Sequence, residues 1–400
     1  MDIQKFNVKN LTTIGAIISG AAIPISTAAQ NIGAALLLLL FILTPRYWSQ
    51  AKKICMQPFP LMGIILSCML AVGTLWSSAN LSVAWGFFIK MRAYYLIPVF
   101  FIAFQEEKNR NYFLSSYAAA TCLSILLSCI SAWFNYPIFK AVLGDWFIFR
   151  THTYHNFFAA LLGIAMLSFL LSKDVPEKFR ICLVISFIIA SYDILFLVSG
   201  RTGQILYVLM IILILFLWNW RRGLIISLLL TSSLAIILPK YSPAVNSGLN
   251  NTNSELTSYS KGDSNTPIGL RLEWQKNSLH LIKERPFFGH GTGSFKGEYE
   301  RMLGSGDKSL ISQNPHNDYL WLSVELGVFG AAMLVLLLIS AAWQGRRLND
   351  AWKWSLYAML FGMGIATLAN SFFTDNITGL AFVILTSAIL NGPKKAASNI

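Results

Sequence analysis

Charge is what this chain of 400 residues has least of. Asp, Glu, Lys and Arg make up 12% of it, against 55% for the apolar set, and the mean hydropathy is +0.56. Soluble domains carry about 25% charged residues. A surface so poor in charge cannot be wetted all round, which excludes a secreted enzyme, a cytosolic enzyme and a disordered regulator. Cysteine is scarce too. Cys55, Cys68, Cys122, Cys129 and Cys182 fall in or beside apolar runs, with no CxxC pattern and no metal-ligand spacing, so they read as small hydrophobes. Walker-type phosphate loops and internal repeats are absent. An all-α polytopic integral membrane protein remains, because lipid offers no partner to an unpaired backbone group.

About twelve segments approach the roughly 20 apolar residues that a spanning helix needs. They are 11–29, 31–44, 58–76, 83–104, 111–134, 154–172, 180–198, 202–218, 223–238, 315–342, 354–373 and 377–392. The first ends in Ala28 and Ala29, as a signal peptide would, but the apolar runs that follow at once favour an uncleaved span. Loop charge sets the orientation. With the N-terminus cytoplasmic, the inner segments hold Lys5 and Lys9; Arg46, Lys52 and Lys53; Lys108 and Arg110; Lys173, Lys178 and Arg180; Arg221 and Arg222; Arg346, Arg347 and Lys353; Lys394 and Lys395. Of basic residues, the short outer turns 77–82, 199–201 and 374–376 hold only Arg201. Both termini are therefore expected in the cytoplasm. Topology also accounts for the net charge of +13 without a nucleic-acid partner.

One outer segment stands out by length. Residues 239–314 divide the chain into a membrane part (1–238), a large outer loop (239–314) and a second membrane part (315–400), forming one membrane domain. The first part of the loop, SGLNNTNSELTSYSKGDSNTP, is rich in Ser, Asn and Thr and reads as mobile. The second, LRLEWQKNSLHLIKERPFFGHG, has apolar residues at helical spacing and predicts a helix that ends at Pro286 and Gly289. Loops this long are more often functional than idle. The shorter aromatic segment 135–153 is expected to lie along the lipid interface.

Four polar features reach the outer face by topology alone. Arg201, in the turn Ser199-Gly200-Arg201-Thr202-Gly203, is either a snorkelling anchor or an anion ligand, with glycines that let backbone approach. Arg271 opens the amphipathic loop helix with Trp274 three residues on, and is either a solvated charge or a second anion ligand. On the same helix Lys276, Lys283 and Arg285 read as surface charges. His316 stands in Asn314-Pro315-His316-Asn317-Asp318 at the mouth of the tenth segment, where a histidine can exchange a proton near neutral pH. Asp375, in the last outer turn, either orients His316 or simply shapes the turn.

Ionisable groups inside spans are expensive and usually functional. Lys90, Arg92 and Asp193 either pair with one another, or the two cations face a buried pyrophosphate. His152 and His155 are three residues apart but lack a third metal ligand. His280 reads as a surface residue, and His290 sits in a glycine-rich turn that favours a tight turn over a phosphate cradle. Two arginines, a histidine and an aspartate thus gather at one membrane face. Arginines suit a phosphorylated group, and a histidine suits proton abstraction.

The string PHNDYLWLSVELGVFG, preceded by SGRTG and RLEWQKNSLHLIKERPFFGHGTGSF, resembles the O-antigen ligase and O-antigen polymerase superfamily. Specific motifs cover about 199–203 and 268–330, and the order of elements matches along the chain. Length and the single large loop look most like the ligase branch; the polymerase, with the same donor and another acceptor, is the alternative, and a transporter or flippase is a remoter one. The resemblance implies a fold like that of glycosyltransferases using lipid-linked donors. It implies glycan transfer from undecaprenyl diphosphate to the outer core sugar of lipid A–core, at the periplasmic face of the bacterial inner membrane, without cofactor or metal. His316 would then be the general base, and Arg201 and Arg271 would hold the donor diphosphate. Lys90 and Arg92 are further substrate-binding candidates and Asp375 a catalytic one, on position alone. A single attack on the anomeric carbon implies inversion.

Overall fold

The computed structural model describes residues 3–172, 175–304 and 312–395, with side chains from residue 9 onward. Lys173 and the side chain of Lys5, counted above among the inner charges, lie outside the described residues, as do residues 305–311 of the large loop. Among the described residues the fold is all helix apart from two isolated bridges.

The N-terminal part opens with α1 (Ile3–Ile25) and α2 (Thr27–Leu43), separated by Ser26, whose hydroxyl caps α2 by accepting from the Ala29 N–H. Pro45 starts α3 (Pro45–Cys55), bent 105° from α2. Next come α4 (Pro58–Gly73), α5 (Leu81–Lys90), α6 (Arg92–Tyr95), α7 (Ile97–Ala103) and α8 (Glu107–Trp133). The apolar run 83–104 is therefore not one helix. It breaks beside Lys90 and Arg92 and again before Pro98, which cannot donate to a continuing ladder.

The middle of the chain holds α9 (His152–Leu171), α10 (Glu177–Tyr192), α11 (Arg201–Trp218) and α12 (Trp220–Tyr241). A π-turn at Asp193–Leu197 closes α10. Then follow α13 (Pro243–Ser260), α14 (Pro267–Glu284), α15 (Phe295–Leu303), α16 (Asp318–Leu326), α17 (Val328–Gly345), α18 (Asp350–Ala369) and α19 (Asn376–Leu390). Gly327, at φ +68°, divides the run 315–342 into α16 and α17.

Seven described helices are long and apolar enough to cross a membrane, or eight if the bent α2–α3 pair counts as one span. On α12 the apolar side chains Leu224, Ile225, Leu228, Leu229 and Ile236 are exposed. Such a helix, apolar on its open faces, needs lipid as its solvent. Helix α9 is the central post, packed by α10, α11 and α18. Buried Phe157, Phe158, Leu206, Tyr207, Met210 and Met359 fill the space between these helices.

The Ser- and Asn-rich stretch expected to be mobile is instead α13. Ser242 caps it by accepting from the Val245 N–H, Pro243 preorganises its first turn, and Thr252 and Thr257 bond back to carbonyls four residues earlier. Its neighbours α12 and α14 supply the packing that its weak helix formers lack. The predicted helix α14 forms and ends at Glu284, just before Pro286. A satellite core of Leu281, Phe295, Tyr299, Trp321 and Val324 ties α14 and α15 to α16.

Segment 135–153 is split. Trp146 and Ile148 are buried against Leu197 and Val198, while Tyr136 and Phe139 at its start, and Trp133 and Phe134 just before it, are exposed, as aromatic rings are at a lipid–water boundary.

Candidate active site

The site is built where α14, the 312–317 segment and the 370–375 turn meet the start of α11. Asn317 caps α16 by accepting from the Leu320 N–H, and its own amide donates to the Leu368 carbonyl (3.1 Å). Buried Asp318 accepts from the Phe373 N–H (2.6 Å) and from the hydroxyls of Thr367 and Thr374. One carboxylate thus pins the 373–374 turn to the α16 start.

His316 lies just before that cap, half-buried, in the left-handed region at φ +50°. The helix start is therefore Asp318, and His316 sits outside it. Its own N–H donates to the Asn314 side-chain oxygen (2.9 Å), which also accepts from the Ser371 hydroxyl (3.0 Å). A non-glycine residue in this conformation needs such local bonds to hold it.

The protonation pattern of the ring follows from its neighbours. Asn370 Oδ1 accepts from the Ser371 backbone N–H (3.0 Å), which can only donate, so this amide atom is the oxygen. The same oxygen lies 3.0 Å from His316 Nδ1, so Nδ1 carries the proton. The lone pair is then on Nε2. The ring stacks on Trp274 (centroids 5.1 Å apart, 24° between planes). Burial lowers the His316 pKa below the ordinary histidine value; the Asn370 bond opposes this and the Arg271 charge adds to it. That shift favours the neutral ring, with its lone pair on Nε2.

Arg271 stands on the α14 face that carries Trp274, one turn before it. Arg201, the first residue of α11, donates from Nη1 to the Thr252 hydroxyl (2.7 Å) and lies 3.4 Å from Glu255 Oε1. Glu255 also accepts from the Ile268 N–H (2.9 Å), holding α13, α14 and α11 together. The two guanidiniums lie within electrostatic reach of each other and of Glu255. Burial, and then the Arg201 charge, lower the Arg271 pKa, with Glu255 opposing. Two guanidiniums and the Glu255 carboxylate leave a net positive charge near His316.

Arg201, Arg271 and His316, expected at one face, are brought together. The glycines of the Arg201 turn do something other than admit a ligand. A Cβ on Gly200 or Gly203 would stand 2.6 or 2.5 Å from Asn156, so they admit α9. Lys90 closes α5, with its Nζ 4.7 Å from the centre of the Trp321 ring. A cavity of about 250 Å³ joins it to Asn314, two residues from His316. Arg92 is elsewhere: its guanidinium bonds Asn31 Oδ1 on α2 (2.6 Å).

Asp375 does not orient His316. One of its oxygens caps α19 at the Ile377 N–H (2.6 Å), and the other accepts from Tyr154. Asn370 takes the expected place. Nor does Asp193 pair with Lys90 or Arg92: its carboxylate meets His155 Nε2 at 2.8 Å, fully buried. His152 meets Asp145 instead (3.3 Å), so the two histidines serve different acids and share no ligand site.

The glycine-rich turn at His290 is consumed by structure. The Gly293 N–H donates to Glu325 (2.6 Å), the Gly291 N–H to the Glu325 carbonyl, and His290 Nε2 faces the Leu281 carbonyl (3.0 Å). No free N–H array is left there to cradle phosphate. Among the described residues, Glu284, His290 and Glu298 have the spacing of metal ligands. The Arg301 guanidinium already bridges both carboxylates, so the cationic position is filled by protein. His280, Lys276, Lys283 and Arg285 are exposed, as read from the sequence.

Asn370, Asp318 and Glu255 escaped the sequence reading. Asn370 lies 54 residues from His316, and no local spacing connects them.

Residues 184–335 match the family described as O-antigen ligase. The chain is also 29% identical over 150 residues to an uncharacterised protein of Haemophilus influenzae, a match covering 36% of this chain and 38% of that protein. The chain thus matches under two fifths of that relative's length. The family match starts inside α10 and ends inside α17, and so contains Arg201, Arg271 and His316.

Proposed function

We infer that this chain, whose residues 184–335 match the O-antigen ligase family, is a member of that superfamily and transfers a glycan from undecaprenyl diphosphate to the outer core sugar of lipid A–core. In this reading both termini are cytoplasmic, about twelve segments cross or enter the inner membrane, and residues 239–314 cover the site from the periplasm. The observation that carries it is His316, with Nδ1 bonded to Asn370 and Nε2 free of protein partners among the described residues, beside the Arg201–Arg271 pair.

A sugar hydroxyl is a poor nucleophile, and a positioned base assists it by roughly two to four orders of magnitude. His316 Nε2 takes the acceptor hydroxyl's proton as its oxygen bonds to the anomeric carbon of the donor. The bond from that carbon to the diphosphate oxygen breaks, and its electrons leave on the undecaprenyl diphosphate. Arg201 and Arg271 meet that developing charge with planar, multidentate donors. Attack opposite the leaving group inverts the anomeric centre. Lys90 extends the cationic wall toward the cavity at Asn314 and Trp321, where a phosphorylated or hydroxyl-rich acceptor fits. Arg92 and Asp375 act through helix packing and capping.

Purified protein offered undecaprenyl-diphosphate glycan with lipid A–core as acceptor tests the reading. The expected product is glycan on lipid A–core, in the inverted configuration. Growth of glycan on the lipid carrier alone would make the protein a polymerase. A product of retained configuration would overturn direct attack.

A further inference from the structure

At the far end of the bundle from His316, four stretches of chain, 50–58, 101–105, 343–347 and 390–394, close around a cavity of about 660 Å³. Helix α17 runs between the two places: Val328 adjoins α16, and Gln344 lines the cavity. Helix α4 does the same, with Pro58 in the cavity wall and the Gly73 carbonyl bonded to the Thr292 N–H (3.1 Å). Eighteen residues of α17 span about 27 Å at 1.5 Å each, the depth of a bilayer core.

Four cations line the cavity: Lys53 from α3, Arg346 and Arg347 after α17, and Lys394 after α19. The wall contains no carboxylate. Asp350 is close by, but it is bonded to Lys353 (2.8 Å) and Lys395 (2.9 Å). Topology asks only that these charges lie on one side of the membrane. It does not ask that charges from three loops share one concavity.

The concavity is also held rigidly. Gln344 donates to Gln57 (2.6 Å) and accepts from the Phe59 N–H (3.1 Å), fixing α17 to α4. The segment after α19 is bound to that after α17 by Asn349 N–H to the Pro393 carbonyl (3.0 Å) and Lys395 N–H to the Arg347 carbonyl (2.9 Å). Arg110 clamps the Asn391 carbonyl (2.5 Å). The Arg346 guanidinium lies over the Trp343 ring, 3.5 Å from its centre, and Trp343 is itself exposed. Cations above an apolar, exposed aromatic wall match a phosphate group attached to acyl chains.

We propose that this cavity is a binding site for the phosphate headgroup of an anionic phospholipid, in the leaflet opposite the His316 site. The volume lies in the 300–1,000 Å³ range of small-molecule sites. Lys53, Arg347 and Lys394 supply unneutralised charge to the phosphodiester, and Arg346 sits at the aromatic edge where the glycerol backbone would rest.

The test uses the full chain, delipidated in neutral detergent, with fluorescent phosphatidylglycerol or phosphatidylcholine as the probe. The combined Lys53→Gln, Arg347→Gln and Lys394→Gln variant removes cavity cations whose side chains lie outside the ion pairs that hold Asp350. Phosphatidylglycerol is expected to bind in preference to phosphatidylcholine. Its affinity should fall about fivefold per removed cation, on the order of a hundredfold in all. A variant with the same charge lost elsewhere, Arg46→Gln, Lys52→Gln and Lys108→Gln, should keep the affinity. Equal binding of both lipids by the wild type would overturn the proposal, and that arm needs no variant. So would an unchanged affinity in the cavity variant. Full displacement of the lipid by millimolar inorganic phosphate would assign the cavity to a soluble phosphate and overturn the lipid assignment.

Discussion

The proton on His316 Nδ1 is placed by one amide oxygen that already accepts from a backbone N–H. That oxygen makes Asn370 a positioning residue, and its removal has two consequences. The bond favours the charged ring, so Asn370→Ala should lower the His316 pKa further and move the acid limb of the pH–rate profile down. Loss of the tautomer should also cost about a hundredfold in rate. An unmoved acid limb would show that Asn370 only supports the fold. For the wild type the sign is plain. The base form predominates above a pKa held below the ordinary 6.5, so transfer should stay at its plateau through pH 7 and fall only in acid. A rate that begins to fall above pH 7 as pH drops would contradict this. At Arg271, lysine keeps the charge and loses the fork. Arg271→Lys should reduce kcat/KM for the donor at least about tenfold, and equal rates would remove the guanidinium from the account.

At the scale of elements, what was legible and what was not separate cleanly. Helix α14 was legible because Leu270, Trp274, Leu281 and their neighbours recur at helical spacing, and Pro286 stops them. That same periodicity put Arg271 and Trp274 on one face. Helix α13 was not legible, because Ser, Asn and Thr favour turns by local bonding and become helical here through caps and neighbours. The breaks at Met91 and Gly327 were hidden inside apolar runs, since hydropathy carries no backbone conformation. Gly327 holds φ +68° and ψ −161°, open essentially to glycine alone. A Cβ there would stand 2.0 Å from the Phe287 carbonyl oxygen. Gly327→Ala should therefore destabilise the protein by about 1–3 kcal/mol or more, seen as a lower Tm in detergent. An unchanged Tm would mean that the α16–α17 break is soft.

For the whole molecule, the two ends differ in kind. One end gathers Arg201, Arg271 and His316 under α13 and α14; the other gathers Lys53, Arg347 and Lys394 around a concavity. The alternation of loop charge assigns Lys53, Arg346, Arg347 and Lys394 to one side of the membrane and Arg201 to the other, because that signal is written loop by loop. The partners inside each end were not predictable, because Asp318, Asn370 and Glu255 act across long stretches of chain. The orientation itself is testable. In a cysteine-free background, Lys276→Cys should react with a membrane-impermeant maleimide from the periplasm, and Arg347→Cys should not. Labelling of Arg347→Cys from outside would invert the topology.

The most direct measurement of the central claim compares wild type with His316→Ala in glycan transfer to lipid A–core, with donor binding measured separately on both. The account predicts that the variant binds the undecaprenyl-diphosphate donor about as well and transfers about 10²- to 10⁴-fold more slowly. Transfer at the wild-type rate would contradict it and leave His316 a residue of the fold.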